Sequence, residues 1–151
     1  PESPEIGRGS GVSVAAEPGP EDLRSSAMID FQNGTFVKLS PSNPQDLMAE
    51  IGPMLVVDEQ VFLSFKGIRD SVVFTNKRLI SLNVQGLTGK KRDYTSLPYS
   101  KIQAFSVETA GTFDLDAELE LWFSGLGRVR LEFKGGVDIR SLGRLIGDHV
   151  L

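Results

Sequence analysis

The feature that most constrains the fold is a series of seven short segments between Val61 and Lys134. Each has about the length of a β-strand and is bounded by turn-prone residues. Strands that follow one another this closely predict an antiparallel meander. In order, the segments are VFLSFK, DSVVFT, RLISLNV, RDYTSLPY, IQAFSVET, AELELWFS and RVRLEFK.

An amphipathic helix follows the last of these strands. Apolar residues recur at helical spacing in VDIRSLGRLIGDHVL, and Asp138 is placed to cap the first turn. Because this helix must bury its apolar stripe, we expect a mainly β fold: a strongly bent sheet or partly open barrel, capped by the C-terminal helix. Gly143 and Gly147 favour a close approach of the helix to the sheet, with a contact between two subunits as the alternative.

Two further elements are predicted before the seven strands. Asn33-Gly34 lies between two short apolar-rich runs, which favours a two-residue turn and therefore an N-terminal hairpin. In SNPQDLMAEIGP, Asn43 is placed to cap a short helix that has Pro44 in its first turn and Gly52 at its end. We expect this helix to cover one edge of the core.

Residues 1–27 differ from the rest of the chain in composition. They contain four prolines, four glycines and five serines, and such a segment cannot bury enough apolar surface to offset its conformational entropy. We predict a flexible tail, which would be a linker, an expression tag, a fused peptide or a processed extension. Met28 is a natural start for the single domain that we predict over residues 28–151.

The charged and reactive residues exclude several classes of function. The chain has no cysteine and one histidine, His149, so thiolate chemistry, His-rich zinc sites and Ser-His-Asp catalysis lack their usual components. Five acids and two bases give the first 27 residues a charge of −3, which leaves −1 of the total −4 for the remainder. A nearly neutral domain does not favour nucleic acid as a partner. We predict a protein that is not an enzyme and has no cofactor or metal.

The segment NVQGLTGKKRDY contains two glycines followed by three cations. A P-loop requires four residues between its glycines and a helix afterwards, whereas here two residues separate the glycines and a strand follows. We therefore interpret the segment as a solvated hairpin loop, with contact to an anion or a lipid headgroup as the alternative. The candidate anion-contact residues are Lys66, Arg69, Lys90, Lys91 and Arg92.

Acidic residues stand two apart in the segment that ends in AELEL. Residues two apart share one face of a strand, so we expect these acids to point outward and the intervening apolar residues to point into the core. The spacing does not match a calcium-binding loop. Arg128 and Arg130 on the next strand are placed to pair with the acids, and Trp122 on the same face is a candidate interface anchor. The acids are Asp114, Asp116, Glu118 and Glu120.

The turn at Asn76-Lys77 predicts a hairpin with two apolar faces. Phe74 and Leu79 would lie on one face, opposite Val73 and Ile80. The second face needs cover from the helix near residues 44–51, from the N-terminal hairpin or from a neighbouring subunit, and this favours self-association. The candidate subunit-interface residues are Phe74, Leu79, Trp122, Arg128, Arg130, Glu118 and Glu120.

Several motifs, in this order, resemble the bacterial pleckstrin-homology (PH) domain family: FTNKRLI, QGLTGKK, LPYSKI and SVETAGTFDLDAEL. The similarity spans about residues 47–151. It implies a PH-like fold of seven bent strands and a C-terminal helix in a bacterial, cytoplasmic protein.

The resemblance also implies a non-enzymatic module that assembles into a ring-shaped homo-oligomer and offers a scaffold or a surface for a protein or peptide. The alternative is weak peripheral contact with anionic lipid. Specific phosphoinositide recognition is not favoured, because the loop KGIRD holds only Lys66 and Arg69 beside Asp70.

Overall fold

The structure is a computed structural model that describes residues 33–151. The tail predicted over residues 1–27 therefore lies outside the described residues. The strands are β1 (Asn33–Ser42), β2 (Val61–Lys66), β3 (Asp70–Thr75), β4 (Arg78–Gln85), β5 (Lys91–Pro98), β6 (Ile102–Glu108), β7 (Ala117–Phe123) and β8 (Gly127–Phe133). The α-helices are α1 (Met48–Ile51) and α2 (Ile139–Val150), and 3-10 helices span Pro44–Leu47, Gly52–Met54 and Tyr99–Lys101.

The eight strands form a single sheet in the order β5-β4-β3-β2-β1-β8-β7-β6. All neighbouring strands run antiparallel except β1 and β8, which run parallel. The seven strands predicted after residue 60 are confirmed, with boundaries within one residue of the prediction. Helix α2 packs on β6 and β7, so the predicted mainly β fold with a capping C-terminal helix is confirmed.

The first strand corrects the predicted N-terminal hairpin. Asn33 and Gly34 form no turn, because both pair in β1 with Arg128 and Val129 of β8. The far end of β1 pairs with β2 on its other edge. Pairing on both edges satisfies the backbone groups of β1, which overrides the local preference of Asn-Gly for a turn. Strand β1 thereby joins β2–β5 to β6–β8 and turns a seven-stranded meander into one eight-stranded sheet.

The β3–β4 hairpin carries apolar side chains on both faces, as predicted. Phe74 is paired with Leu79, and Val73 with Ile80. Phe74 and Leu79 belong to the main core, whereas Val73 and Ile80 pack with Ile51 of α1 in a smaller cluster on the other face. The helical segment therefore supplies the cover. Phe74 and Leu79 are fully buried, so their assignment to a subunit interface is wrong.

Both predicted helix caps are confirmed. The Asn43 side chain accepts a hydrogen bond from Gln45 N at 3.0 Å, and the Asp138 carboxylate accepts one from Ser141 N at 3.2 Å. Helix α2 also approaches the sheet closely, as its glycines predicted. A Cβ added to Gly143 would lie 2.9 Å from Val107 Cγ1 of β6. The absence of a side chain at this position lets the helix rest directly on the edge strand.

A buried ion pair ties the β3–β4 turn to the segment before β2. Arg78 Nε and Nη2 donate to the two carboxylate oxygens of Glu59, each at 2.9 Å, and Thr75 Oγ1 donates to the same carboxylate at 2.7 Å. The Glu59 side chain is fully buried. Burial by itself would raise the pKa of Glu59, but the hydrogen bonds and the charge of Arg78 hold it below its ordinary value.

Candidate functional site

The loops that follow β2 and β4, residues 67–69 and 86–90, lie side by side at the end of the sheet opposite the β3–β4 turn. Arg69 Nη2 donates to Gly86 O at 2.8 Å, and Val84 N donates to Arg69 O at 3.0 Å. Gly86 and Gly89 have φ angles of 79° and 70°, a region that residues with a Cβ rarely adopt. These glycines are therefore turn residues, as predicted. We call residues 67–69 and 86–90 the paired loops.

Each of the paired loops presents one aliphatic side chain to solvent. The relative exposure of Ile68 is 89%, and that of Leu87 is 106%. In the sequence, Lys66 and Arg69 flank Ile68, and Lys90 follows Leu87 in the second loop. All three cations are exposed. An isolated exposed aliphatic residue is ordinary. Here two exposed aliphatic side chains lie on loops that are hydrogen-bonded to each other, and each loop also carries an exposed cation.

A cavity of about 310 Å³ opens beside the first loop, between the strand ends and the helical segment before β2. Its lining includes three cations and three carboxylates. The cations are Lys66, Arg69 and Arg92, and the carboxylates are Asp46, Glu50 and Asp70. The structure thus brings three of the five predicted anion-contact residues to one cavity. Lys90 and Lys91 are exposed but do not line it.

Some of the charges in the cavity neutralise one another. Arg92 Nε lies 3.1 Å from Glu50 Oε1, and the Tyr94 hydroxyl lies 3.4 Å from the same oxygen. Among the described residues, the side chains of Lys66 and Asp46 form no ion pair. Burial raises the pKa of Asp70, although the charge of Arg69 acts in the opposite direction. The cavity has charged groups of both signs beside apolar side chains and is not a cationic cradle.

The sequence interpretation missed Asp46 and Glu50, which form the carboxylate wall of the cavity. Their spacing of four residues places them on one face of a helical segment, and this was a usable signal. The spacing does not reveal that this face meets the loop after β2. That contact depends on how the helical segment packs over the sheet.

The outer face of β7 and β8 holds the predicted acid row. Arg130 Nη2 lies 2.5 Å from Glu118 Oε2, and Arg128 Nη1 lies 3.4 Å from Glu120 Oε2. Hydrogen bonding to Glu118 raises the pKa of Arg130. Within β7 the alternation is confirmed, since Ala117, Leu119 and Leu121 are buried, while Trp122 is half-buried on the outer face. Leu115, which was also expected in the core, is exposed, because the chain is not yet a strand at that position. The acids and arginines pair within the chain.

The other two acids in the row have separate local contacts. Asp116 pairs with Lys38 of β1 at 3.4 Å, and Asp114 accepts a hydrogen bond from Asp116 N at 3.1 Å. Within residues 33–151, no group of three or more His, Asp or Glu side chains is placed to hold a metal ion. The same part of the chain contains no helix that is long and apolar enough to cross a membrane.

A second groove, of about 280 Å³, lies between β2 and the start of α2. It is lined mainly by apolar groups, including the exposed side chains of Phe62 and Leu63. Adjacent residues of a strand point to opposite faces, so two large apolar neighbours signal that one lies away from the main core. The sequence interpretation did not use this signal.

The bent sheet capped by a C-terminal helix is the fold of a PH-like domain. The chain belongs to the bacterial PH domain family, because the model of that family matches residues 30–150. This match begins before the similarity inferred from the motifs and includes all of β1. The coarser part of the functional prediction, a PH-like module for binding protein or lipid, is supported by this membership.

Two relatives of known sequence are uncharacterized proteins. The chain is 42% identical over 120 residues to the uncharacterized protein YjqA of Bacillus subtilis strain 168, covering 78% of this chain and 96% of YjqA. It is 31% identical over 97 residues to the uncharacterized protein YozO of the same strain, covering 64% of this chain and 83% of YozO. No enzymatic family is indicated by these similarities.

Two solved structures share the fold and much of the sequence. A DUF1696 family protein with a pleckstrin-homology domain from Shewanella loihica PV-4 is 46% identical, with a TM-score of 0.67 over 76% of this chain and 99% of that chain. A pleckstrin homology domain from Shewanella amazonensis SB2B is also 46% identical, with a TM-score of 0.57 over 73% of this chain and 90% of that chain.

Proposed function

We propose that this chain is a non-enzymatic, cytoplasmic binding module that contacts a membrane surface through its paired loops. The observation that carries the proposal is the position of Ile68 and Leu87 at the tips of two hydrogen-bonded loops, beside exposed cations. Aliphatic side chains enter the boundary between headgroups and acyl chains, while lysine and arginine attract anionic lipids.

The charges alone support only weak binding. A cation close to an anionic surface contributes about 1 kcal/mol. Here Glu50 pairs with Arg92, and Asp46 and Asp70 lie near Lys66 and Arg69. Burial of a whole aliphatic side chain contributes roughly 1.5–3 kcal/mol. We therefore expect reversible binding that requires both the apolar tips and the cations.

Sedimentation of the full chain with lipid vesicles tests this function. We expect binding to phosphatidylcholine vesicles that contain phosphatidylglycerol, and weaker binding as salt is raised. The double variant Ile68→Ser/Leu87→Ser should lower the partition coefficient by about tenfold or more, because both apolar anchors are lost. Lys90→Ser/Lys91→Ser should remove most of the salt dependence and leave the apolar contribution.

Leu126→Ser is the matched control, because Leu126 is an exposed leucine in the turn between β7 and β8. It should bind vesicles as the unchanged chain does. Equal loss of binding in Leu126→Ser and in the loop variant would show that general surface hydrophobicity is responsible. Absence of vesicle binding by the unchanged chain at low salt would refute the membrane function.

The second candidate function is assembly into a ring-shaped homo-oligomer that serves as a scaffold or protein-binding surface. The sheet ends at β5 on one side and at β6 on the other, and neither strand has an outer partner within residues 33–151. If β5 of one chain pairs with β6 of the next, the contact is head-to-tail, and such contacts close into rings when the rotation permits. The outer-face candidates Trp122, Glu118, Glu120, Arg128 and Arg130 lie on the two strands next to β6.

Light scattering across a range of concentrations tests the ring. We expect one mass that is an integral multiple of the 16.4 kDa chain and does not change on dilution. A constant mass of one chain would eliminate the ring and leave the membrane function unaffected.

A further inference from the structure

The cavity beside the first of the paired loops contains more carboxylate than a site for a simple anion would. Its two cations from the β2–β3 connection are Lys66 and Arg69. The helical segment contributes Asp46 to the same lining, and β3 contributes Asp70 from its first position. A phosphate that bears only negative charge would meet both carboxylates, and their repulsion would offset much of the attraction of the cations.

The charges that remain available can be counted from their contacts. Arg92 and Glu50 form an ion pair with each other and leave no net charge. Arg69 uses Nη2 to donate to Gly86 O, which leaves other N–H groups of its guanidinium to donate. The Lys66 ammonium has no ion-pair partner among the described residues. Lys66 and Arg69 are therefore the cations of the cavity that remain available to an anionic group.

Asp46 and Asp70 are the carboxylates of the cavity that remain available. Within the part of the chain that the structure describes, neither carboxylate accepts a side-chain hydrogen bond or forms an ion pair. Asp70 is half-buried, so its charge is not fully hydrated. A cationic hydrogen-bond donor in the cavity is the kind of ligand group that these carboxylates would favour.

We propose that this cavity binds a phosphate ester that carries a primary ammonium group, the chemistry of phosphoethanolamine. The phosphate lies toward Lys66 and Arg69, and the ammonium lies toward Asp46 and Asp70. The volume of about 310 Å³ is at the lower end for ligand pockets, which suits a headgroup and not the chains of a lipid. The lipid source of this headgroup rests on the proposed membrane function, whereas free phosphoethanolamine does not.

Titrations of the full chain with soluble probes test the cavity without a membrane. Chemical-shift changes are followed during addition of O-phosphoethanolamine, methyl phosphate or ethanolamine. We expect O-phosphoethanolamine to bind about tenfold more tightly than methyl phosphate, because only the former satisfies the carboxylates. Equal or tighter binding of methyl phosphate would overturn the proposal, as would shifts confined to residues outside the cavity.

Variants test the carboxylates and the cations of the cavity one at a time. Asp46→Asn and Asp70→Asn, each made singly, should reduce the preference for O-phosphoethanolamine over methyl phosphate. Lys66→Met should weaken binding of both phosphates and leave their ratio unchanged. Each variant is accepted for titration only with a far-ultraviolet circular dichroism spectrum like that of the unchanged chain. A preference that survives in both Asn variants would contradict the proposal.

Vesicles identify the source of the headgroup. If the lipid is the source, phosphatidylethanolamine should increase vesicle binding relative to phosphatidylcholine, whose quaternary ammonium cannot donate a hydrogen bond, and Asp70→Asn should remove the increase. Soluble binding without this vesicle preference identifies the free ester as the ligand. The absence of both the soluble preference and the vesicle preference would overturn the proposal. Leu87→Ser, at a residue that does not line the cavity, should weaken vesicle binding and spare the soluble titration, which separates failure of the membrane function from failure of the cavity.

Discussion

The two ends of the β3–β4 hairpin use the same kinds of charged residue in opposite ways. At the turn end, Arg78 and Glu59 are joined by two hydrogen bonds at 2.9 Å, and the glutamate is fully buried. At the loop end, Lys66, Arg69 and Asp70 line an open cavity and have few partners in the chain. One end has charges that satisfy one another, and the other retains charges that a ligand can satisfy.

The difference teaches that charge type alone does not identify a binding site. Buried ionic groups destabilise a fold unless each is paired, so the turn end must be complete before any ligand arrives. Exposed or half-buried groups cost little when unpaired and remain available. The comparison predicts that changes at the turn end alter stability, whereas changes at the loop end alter binding.

The largest effect is expected for Arg78→Leu, which leaves the buried Glu59 carboxylate without its cation. We expect the free energy of unfolding to fall by about 3 kcal/mol or more, measured by urea denaturation. Arg92→Leu is the matched control, because Arg92 pairs with Glu50 at a more exposed site; its loss should not exceed about 1 kcal/mol. Similar losses in the two variants would break the distinction between the ends.

A smaller effect is expected for the pH dependence of stability at Glu59. Its pKa is lowered in the folded chain from an ordinary value of 4.5, so its stabilising contribution is present above that pH. It is lost as the pH falls through the folded-state pKa. Glu59→Gln should therefore flatten the acid side of the curve of unfolding free energy against pH. An unchanged slope on the acid side would contradict this role for the ion pair.

At Asp70 the pKa shift has the opposite direction, and so does its effect on the pH dependence of stability. Its pKa is raised in the folded chain from an ordinary value of 3.8, so the ionised form is less favourable when folded than when unfolded. The resulting loss of stability is absent below that pH and complete above the folded-state pKa. Asp70→Asn should therefore modestly stabilise the chain at pH 7 and change stability less at pH 3, as measured by thermal unfolding. Destabilisation at pH 7 would show that Asp70 supports the fold.

The smallest effect on stability is expected for Lys66→Met. Lys66 is exposed and has no ion-pair partner among the described residues, so the free energy of unfolding should change by less than about 0.5 kcal/mol. The same variant should clearly weaken the binding of O-phosphoethanolamine. A stability loss as large as that of Arg78→Leu would erase the contrast between the two ends.

Much of the fold could be predicted because its signals are local. Strand segments, the caps at Asn43 and Asp138, and the turn glycines Gly86 and Gly89 all reflect backbone geometry repeated over a few residues. The outward direction of Glu118 and Glu120 followed from the two-residue period of a strand, whereas Asp114 and Asp116 precede β7. The same locality explains the error at Asn33-Gly34, where pairing with a distant strand decided the conformation.

The candidate site could be predicted only in part. Lys66, Arg69 and Arg92 were proposed as anion contacts, and the structure places all three around one cavity. The carboxylates Asp46 and Glu50 were missed because their approach to the cations depends on how the helical segment packs over the sheet. Phe74 and Leu79 were assigned to the surface for a similar reason, since alternation does not say what covers each face.

The sequence by itself determined which segments after residue 60 are strands, where the helices begin, and which face of β7 is polar. Only the tertiary structure decided that β1 joins the two halves of the sheet, that Ile51 covers Val73 and Ile80, and that cations and carboxylates share a cavity. Periodicity arises from the geometry of neighbouring residues, whereas partners are chosen by which distant segment best fills an open strand edge or an uncovered apolar face.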